Sequence, residues 1–262
     1  MSKTGRVQSI ERAVKILNCF SESHTELRLS EIAGMLGLNK STVHGILHTL
    51  KYHGMVSQNT ENHKYRLGLR LMELGSRAAN SIDIIELARP GIRELCRLTE
   101  ETVHLGTLDG HEMVYVDKVE SIQSMRIASS VGARKPAYST GMGKAIMAYL
   151  SPEELKRAVP KKMKPLTSAT IVSMEALVRE LEQTKTRGYA IDNEENCIGL
   201  KCVAAPIFDH EGKVRYSISV SGPAIRMTNK KMNYIIEQVN RTCRSISGKI
   251  GYEECDADGD SY

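Results

Sequence analysis

The stretch Leu29–Leu50, LSEIAGMLGLNKSTVHGILHTL, predicts two short helices separated at Gly37. Apolar residues recur at helical spacing on one side of each helix: Ile32, Ala33 and Leu36 in the first, and Val43, Leu47 and Leu50 in the second. Ser30 is placed to cap the first turn of the first helix. The pattern therefore favours a pair of helices that pack through their apolar sides.

The outward face of the second helix carries only small, polar or cationic residues, which are Lys40, Ser41, Thr42, His44, Gly45 and His48. No Asp or Glu occurs between Asn39 and Thr60, and a face without carboxylates fits a groove lined by phosphates. A small residue such as Gly45 also lets a helix approach base edges closely. The sequence therefore predicts a helix-turn-helix whose second helix enters the major groove of DNA. The alternative is a helical hairpin inside a larger core.

The residues around this pair predict a winged version of the motif. A helix from Ser9, its expected N-cap, to Phe20 would pack behind the pair. After Gly54, residues 55–58 and 64–67 alternate like two strands joined by a polar tip. Such a hairpin is expected to contact the sugar-phosphate backbone through Asn62, His63, Lys64 and Arg66. It also closes the small core, a role that we expect of Val56, Tyr65 and Leu67.

The composition restricts the class of protein. A chain of 262 residues, 41% hydrophobic and 26% charged, is typical of a soluble globular protein with two domains. It has no apolar run of membrane-spanning length and no signal peptide at its start, so we expect a cytoplasmic protein and no membrane partner. Its six cysteines form no CxxC pair, which argues against a disulfide framework, a metal site or a metal cofactor.

The charge is concentrated in the first part of the chain. Residues 1–75 hold ten Lys and Arg against six Asp and Glu, a net charge of +4 out of +5 for the whole chain. Five of the eight histidines also lie there. A basic N-terminal module on a nearly neutral body indicates a nucleic-acid-binding unit joined to a unit with another task.

The rest of the chain predicts an α+β body behind a helical connector at residues 69–82. Expected helices are Leu87–Thr99 with Pro90 in its first turn, Thr140–Leu150, and three that begin at Ser151, Ser173 and Thr228. Expected strands are Thr102–Leu108, Met113–Val119, Met125–Ala128, Tyr189–Asp192, Cys202–Phe208 and Val214–Ser221. These alternating elements favour a mostly antiparallel sheet bracketed by helices. The acidic end, 253–262, is expected to be a disordered tail.

Three features of this second body indicate a small-molecule site. The segment 138–144, YSTGMGK, is a glycine-containing loop that runs into a helix, whose N-terminus favours an anion. The segment 192–196, DNEEN, is a polar cluster after a strand, followed by Gly199 and Cys202. The hydroxyls of Ser217, Ser219 and Ser221 alternate along one strand and so face the same way. Each feature alone has a structural explanation, but together they favour a ligand pocket.

Catalysis is not indicated. Cys202 has no histidine at a recognisable spacing, and GMGK lacks the spacing of a phosphate-binding loop. We therefore expect no catalytic residues and no enzyme activity.

The chain resembles the IclR family of bacterial transcription regulators over nearly its full length. The matching segments include SIERAVKIL, LSEIAGMLGLNKSTVHGILHTL, YRLGLRLMELG, ETVHLGTLDGHEMVYVDKVES, YSTGMGKAIMA and GYAIDNEENCIGLKCVAAPIFDHEGKV. The resemblance implies a winged helix-turn-helix at 6–68, a helical linker at 69–82 and a GAF-like effector-binding domain at 83–252. It also implies homodimers, and often dimers of dimers, on operator DNA.

The resemblance further implies which residues hold the effector. Carried over from the family, they are Gly141, Met142, Asp192, Cys202, Ser219 and Ser221, with Glu195 nearby. The segments ETVHLG, KVES and DNEE are most similar to the branch of the family that responds to 2-keto-3-deoxygluconate and related sugar acids. We expect the protein to regulate a carbohydrate or sugar-acid catabolic operon, and we favour repression over activation. The alternatives are an activator of the same type, or a ligand sensor or enzyme whose N-terminal module binds protein.

Overall fold

The computed structural model describes residues 7–21, 23–80, 83–125 and 129–253, except for the side chains of residues 76–80. The chain forms two compact units, with the boundary in the sequence between residues 82 and 83. Among the described residues, no helix is both long enough and apolar enough to cross a membrane.

The N-terminal unit is mainly helical. Its elements are α1 (Gln8–Leu17), α2 (Leu29–Leu36), α3 (Lys40–Tyr52), β1 (Val56–Gln58), β2 (Tyr65–Leu67) and α4 (Leu69–Asn80). The apolar residues predicted to face inward do so, since Ile32, Val43 and Leu47 are fully buried in one core with Ile16 of α1. Gly37 ends α2 with a φ of 62°, a left-handed conformation that glycine adopts without a steric penalty. The predicted helix-turn-helix is confirmed.

Two predicted helix starts in this unit are wrong. Helix α2 begins at Leu29, with Arg28 as its N-cap, so Ser30 lies inside the first turn and does not cap it. The Glu31 carboxylate accepts the backbone N–H of Arg28 instead. Helix α1 begins at Gln8 after Val7 and ends at Leu17, so it is shorter at its C-terminal end than the apolar pattern indicated. In both cases a serine lay near the helix start, but another residue holds the cap position.

The hairpin β1–β2 is antiparallel and is anchored to the preceding segment. Leu27 and Tyr65 exchange both backbone hydrogen bonds, at 2.7 and 2.9 Å, so residues before α2 extend the small sheet. Val56 and Tyr65 are buried in the core, as predicted. Leu67 is 46% exposed at the end of a strand of only three residues, so the prediction that it closes the core is wrong.

The C-terminal unit contains helices on both sides of a sheet. Its helices are α5 (Ile84–Thr99), α6 (Gly141–Met147), α7 (Pro152–Ala158), α8 (Met174–Arg187) and α9 (Asn229–Lys249), with a short 3₁₀ helix at Ala137–Ser139. Its strands are β3 (Thr102–Asp109), β4 (Glu112–Val119), β5 (Arg134–Pro136), β6 (Ala190–Asn193), β7 (Leu200–Phe208) and β8 (Val214–Pro223).

All pairings in this six-stranded sheet are antiparallel, in the order β5-β4-β3-β8-β7-β6. Alternate residues of β3, β7 and β8 pack on one side with α5 and α9, where Val103, Ile218 and Val220 are fully buried. Helices α6 and α8 cover the other side with a second apolar core. The predicted α+β architecture is confirmed, and β3 and β8, which are far apart in sequence, are central neighbours.

Several local predictions in this unit can be compared with the structure. Ser151, Ser173 and Thr228 cap their helices through side-chain hydrogen bonds, as predicted. Helix α5 begins at Ile84 with Asp83 as its cap, so Pro90 lies in the helix interior and its predicted first-turn position is wrong. Strand β5 was not predicted. The predicted strand Met125–Ala128 lies outside the described residues from 126 onward, as does the acidic tail from 254.

Candidate functional site

Helix α3 presents a solvent-exposed face without carboxylates. Lys40, Ser41, His44, Gly45 and His48 are exposed, and Thr42 is half-buried. These side chains are those predicted to face DNA, and the core residues of α3 lie on its other side. Asn39, the N-cap residue of α3, makes no side-chain hydrogen bond to the helix. The Asn39 side chain therefore leaves the first backbone N–H groups of α3 open to another acceptor. Cationic side chains and helix N-terminal amides together suit contact with phosphate.

Gly45 has no structural reason to be glycine. A Cβ built at this position meets no heavy atom within 4 Å, so packing inside the unit leaves room for any small side chain. Glycine in an exposed helix interior costs about 1 kcal/mol of stability relative to alanine. The close approach to base edges predicted for this helix would account for such a residue.

The polar side chains of the hairpin differ in how many hydrogen bonds they make within the protein. Arg66 is exposed, and its Nε donates to Ser57 Oγ at 3.1 Å. Asn62 is held at both ends of its amide: Nδ2 donates to Glu26 Oε2 at 3.3 Å, and Oδ1 accepts the Lys64 N–H at 2.9 Å. The geometry therefore leaves Arg66 and the half-buried Lys64 more accessible to a backbone phosphate than Asn62.

A second constellation lies in the C-terminal unit, on the side of the sheet covered by α6. Strand register places Asp192 opposite Cys202, and Cys202 opposite Ser221. It also places Ser219 opposite His104 of β3. Directly opposed residues share a face of an antiparallel sheet, and all five of these residues are buried. The structure thus brings Asp192, Cys202, Ser219 and Ser221, predicted from separate segments, onto one buried polar face.

The glycine segment packs directly on this face. The Ser217 hydroxyl donates to the backbone carbonyl of Met142 at 3.2 Å, and a Cβ at Gly141 would lie 3.3 Å from Ala204 Cβ. The hydroxyls of Ser219 and Ser221 are 3.4 Å apart. The prediction that the serines face the same way is confirmed, since Ile218 and Val220 between them belong to the opposite core. Gly141 and Met142 therefore lie beside the strand residues predicted to share their site.

Asp192 shapes the turn after β6. Its Oδ1 accepts the N–H groups of Glu195 at 2.8 Å and of Asn196 at 3.3 Å. Burial raises the pKa of Asp192 to about 6, although these two hydrogen bonds and nearby Lys144 oppose the change.

The same turn contains a buried ion pair that the sequence did not predict. Lys144 of α6 is 1% exposed, and its Nζ donates to Glu195 Oε1 and lies 3.7 Å from Glu180 of α8. Burial raises the pKa of Glu195, and Lys144 counteracts that rise. Glu195 Oε2 is buried and has no hydrogen-bond partner within the described part of the chain. Lysine is rarely buried, so only its place between two glutamates identifies this one.

His104 and Tyr115 are two further candidate site residues, which the sequence analysis did not identify. Their rings stack with centroids 4.7 Å apart, and His104 Nε2 lies 2.7 Å from Ser129 Oγ. Burial, and then the positive charge of Lys118, lower the pKa of His104 to about 4. Burial also raises the pKa of Tyr115, with further contributions from Cys202 and Asp192. In the sequence, ETVHLG indicates only the family resemblance, and alternation along β3 is the available signal for His104.

The thiol on this face is not activated as a nucleophile. Burial, followed by Asp192, raises the pKa of the Cys202 thiol, so the sulfur is a neutral thiol at physiological pH. Nucleophilic cysteines require the thiolate, which this environment disfavours. Among the residues that the structure describes, no group of three His, Cys, Asp or Glu side chains is placed to hold a metal ion.

Comparison with known proteins identifies the domain type of each part of the chain. Residues 9–60 match the IclR helix-turn-helix domain, and residues 76–248 match the bacterial transcriptional regulator IclR C-terminal domain. The chain is 41% identical to the HTH-type transcriptional regulator XynR of Escherichia coli, over 94% of this chain and 98% of that protein. It is 38% identical to the regulator KdgR of the same species, over 95% of this chain and 94% of KdgR.

A solved structure shows the same architecture. The repressor BlcR of Agobacterium tumefaciens superposes with a TM-score of 0.79 at 27% identity, covering 94% of this chain and 98% of BlcR.

Proposed function

The chain belongs to the IclR family of bacterial transcription regulators, and from this premise we propose that it represses a carbohydrate or sugar-acid catabolic operon until a small acid binds its C-terminal unit. As a family member it is a DNA-binding transcription regulator, and its relatives are regulators rather than enzymes. Repression is favoured because BlcR, which has the same architecture, is a repressor. We place the protein in the cytoplasm, where its DNA target lies.

The exposed face of α3 is the observation that supports the proposed DNA binding. It combines a cationic N-terminal residue, Lys40, with exposed polar residues and an unencumbered Gly45. We assign base contacts to Ser41, Thr42, His44 and His48, and phosphate contacts to Lys40, Lys64 and Arg66. Asn62 contributes through the shape of the hairpin, since both ends of its amide are already bonded.

A homodimer is the form that we propose for DNA binding. Val7, Ile10 and Val14 form an exposed apolar stripe along α1, and Leu69 and Met72 are exposed on α4. Apolar stripes of this kind are typical of surfaces that a partner covers. A twofold dimer would place two recognition helices about 34 Å apart on a pseudo-palindromic operator, and dimers could pair into tetramers.

The buried polar face of the C-terminal unit is the proposed effector site. Gly141, Met142, Asp192, Cys202, Ser219 and Ser221 would line it, with Glu195 nearby. A small carboxylate or keto acid fits because hydroxyls and a thiol offer several hydrogen bonds within a small apolar surrounding. The favoured class is 2-keto-3-deoxygluconate and related sugar acids.

Effector binding would act on DNA affinity through helix α4, the proposed connector. A change in the separation of the two recognition helices alters how well both fit their half-sites. A coupling free energy of about 1–3 kcal/mol between the two binding events is typical of such regulators.

Salt-dependent binding to DNA tests the proposal. Purified protein is titrated against the duplex upstream of its own gene and against random duplex at several salt concentrations, with and without sugar acids. We expect Lys40→Ala and Arg66→Ala to weaken binding to both duplexes and to lower the salt slope by about 1 each. Lys249→Ala, an exposed lysine of α9, is the matched control and should change neither.

Two results would overturn the proposal. Unchanged binding by both variants would show that the groove helix and wing are placed wrongly. An absence of duplex binding by the wild-type protein at low ionic strength, with and without the acids, would refute the function itself.

A further inference from the structure

His104 is a buried histidine with one ring nitrogen that no described residue hydrogen-bonds. The side chain is 2% exposed, and its Nδ1 is buried without a partner among the described residues. Buried polar atoms in folded proteins are nearly always hydrogen-bonded, so each exception calls for an explanation. Two carboxylate oxygens share this condition, those of Asp117 and Glu195, but in both cases the other oxygen of the group is paired with a cation.

The position of His104 connects this nitrogen with the proposed effector site. His104 lies opposite Ser219 in the β3–β8 register, on the face that α6 covers. Its stacking partner, Tyr115, is close enough to Cys202 and Asp192 for both groups to contribute, after burial, to the rise in its pKa. His104 therefore borders the serines, the thiol and the carboxyl group already assigned to the effector.

The state of the imidazole determines what it can bind. Burial and Lys118 keep His104 neutral at physiological pH, so it offers no positive charge to a carboxylate. The Ser129 hydroxyl can donate to Nε2 or accept from it. In the first case Nδ1 carries the proton and donates, and in the second it accepts. Either tautomer leaves one neutral hydrogen bond that suits a hydroxyl, which can both donate and accept.

We propose that His104 contacts the effector directly and selects acids that carry a hydroxyl in addition to the carboxylate. Ser129 acts as the positioning residue, because its hydroxyl fixes the ring through Nε2. This inference rests on the proposed function and deepens it, since it names the side chain that distinguishes hydroxylated sugar acids from short keto acids.

Two substitutions separate the two ring nitrogens. In His104→Asn the amide lies at the distance of Nδ1 from the backbone, whereas in His104→Gln it lies at the distance of Nε2 and can replace only the contact to Ser129. Isothermal titration of the full-length protein measures the Kd of 2-keto-3-deoxygluconate and gluconate, which carry hydroxyls, and of pyruvate, which carries none. Thermal unfolding and operator binding report whether each variant is folded.

We expect His104→Gln to weaken binding of the hydroxylated acid that the wild type binds by about 10- to 100-fold, the effect of losing one buried hydrogen bond. Binding of pyruvate should change less than about threefold, and His104→Asn should keep most of the affinity for the hydroxylated acid. If both variants are folded and bind the hydroxylated acid like the wild type, the inference is overturned and the proposed function stands.

The wild-type protein supplies an independent check if either variant fails to fold. Tighter binding of the hydroxylated acids than of pyruvate supports the selection, and equal or reversed affinities overturn it. If the wild type binds DNA but none of the three acids alters that binding, both the proposed effector class and the inference are refuted.

Discussion

The buried pair Lys144–Glu195 gives a quantitative test of the C-terminal unit. We consider Lys144→Met, which keeps an unbranched side chain of similar length and removes the charge. The change leaves the Glu195 carboxylate without its cation, with a side chain that is 9% exposed and an Oε2 that has no partner in the described part of the chain. Breaking one side of a buried ion pair costs about 3–5 kcal/mol, because the remaining charge is uncompensated.

This free energy corresponds to a large change in thermal stability. For a unit of this size, 1 kcal/mol shifts Tm by about 2–4 °C, so Lys144→Met should lower the Tm of the C-terminal unit by about 6–20 °C. Urea unfolding followed by circular dichroism measures the free energy. The double variant Lys144→Met with Glu195→Gln should recover much of the loss, because it removes the uncompensated charge.

An exposed pair provides the matched control. Lys213 and Glu211 form an ion pair with side chains 66% and 49% exposed, so Lys213→Met should cost less than about 1 kcal/mol. If Lys144→Met costs no more than Lys213→Met, the carboxylate of Glu195 is solvated in solution. The ion pair would then not hold the turn after β6 against α6.

Three further predictions concern the two functional surfaces. Ser219→Leu fills part of the buried polar face and should abolish the effect of 2-keto-3-deoxygluconate in a gel shift while operator binding persists; a surviving response would place the effector site elsewhere. Because burial raises the pKa of Asp192 from its ordinary value of 3.8 to about 6, the folded state holds its proton longer than the unfolded state does. The free energy of unfolding should therefore fall as pH rises from about 4 to about 6, and Asp192→Asn should gain about 2–3 kcal/mol relative to wild type above that window. A difference between the two proteins that is constant across pH, measured by urea unfolding, would contradict this. Gly45→Ala should stabilise α3 by about 1 kcal/mol and yet weaken operator binding severalfold. Gly34 in α2 is equally unhindered, so Gly34→Ala should stabilise its helix without weakening operator binding. Equal operator affinities of the two variants in a gel shift would show that Gly45 does not lie in the interface.

The sequence by itself determined the DNA-binding unit. Apolar residues at helical spacing predicted the core of α2 and α3, and Gly37 marked the turn between them. Serine and threonine caps likewise fixed the starts of α7, α8 and α9. These features depend on interactions between residues a few positions apart, which the local pattern records directly. The prediction failed at the start of α2, where Ser30 was expected to cap the helix and Arg28 holds the cap position.

Only the tertiary structure decided how the polar face is assembled. Ser219 was predictable as one of three alternating serines, but its neighbour His104 comes from a strand more than a hundred residues earlier. Strand pairing over that distance depends on how the whole sheet closes, which no local pattern specifies. Lys144 is the clearest case: by composition it is a surface residue, and it is buried because two glutamates from α8 and the turn after β6 converge on it. The periodicity of a segment shows which way a side chain faces, whereas its charge environment depends on groups that folding brings from elsewhere in the chain.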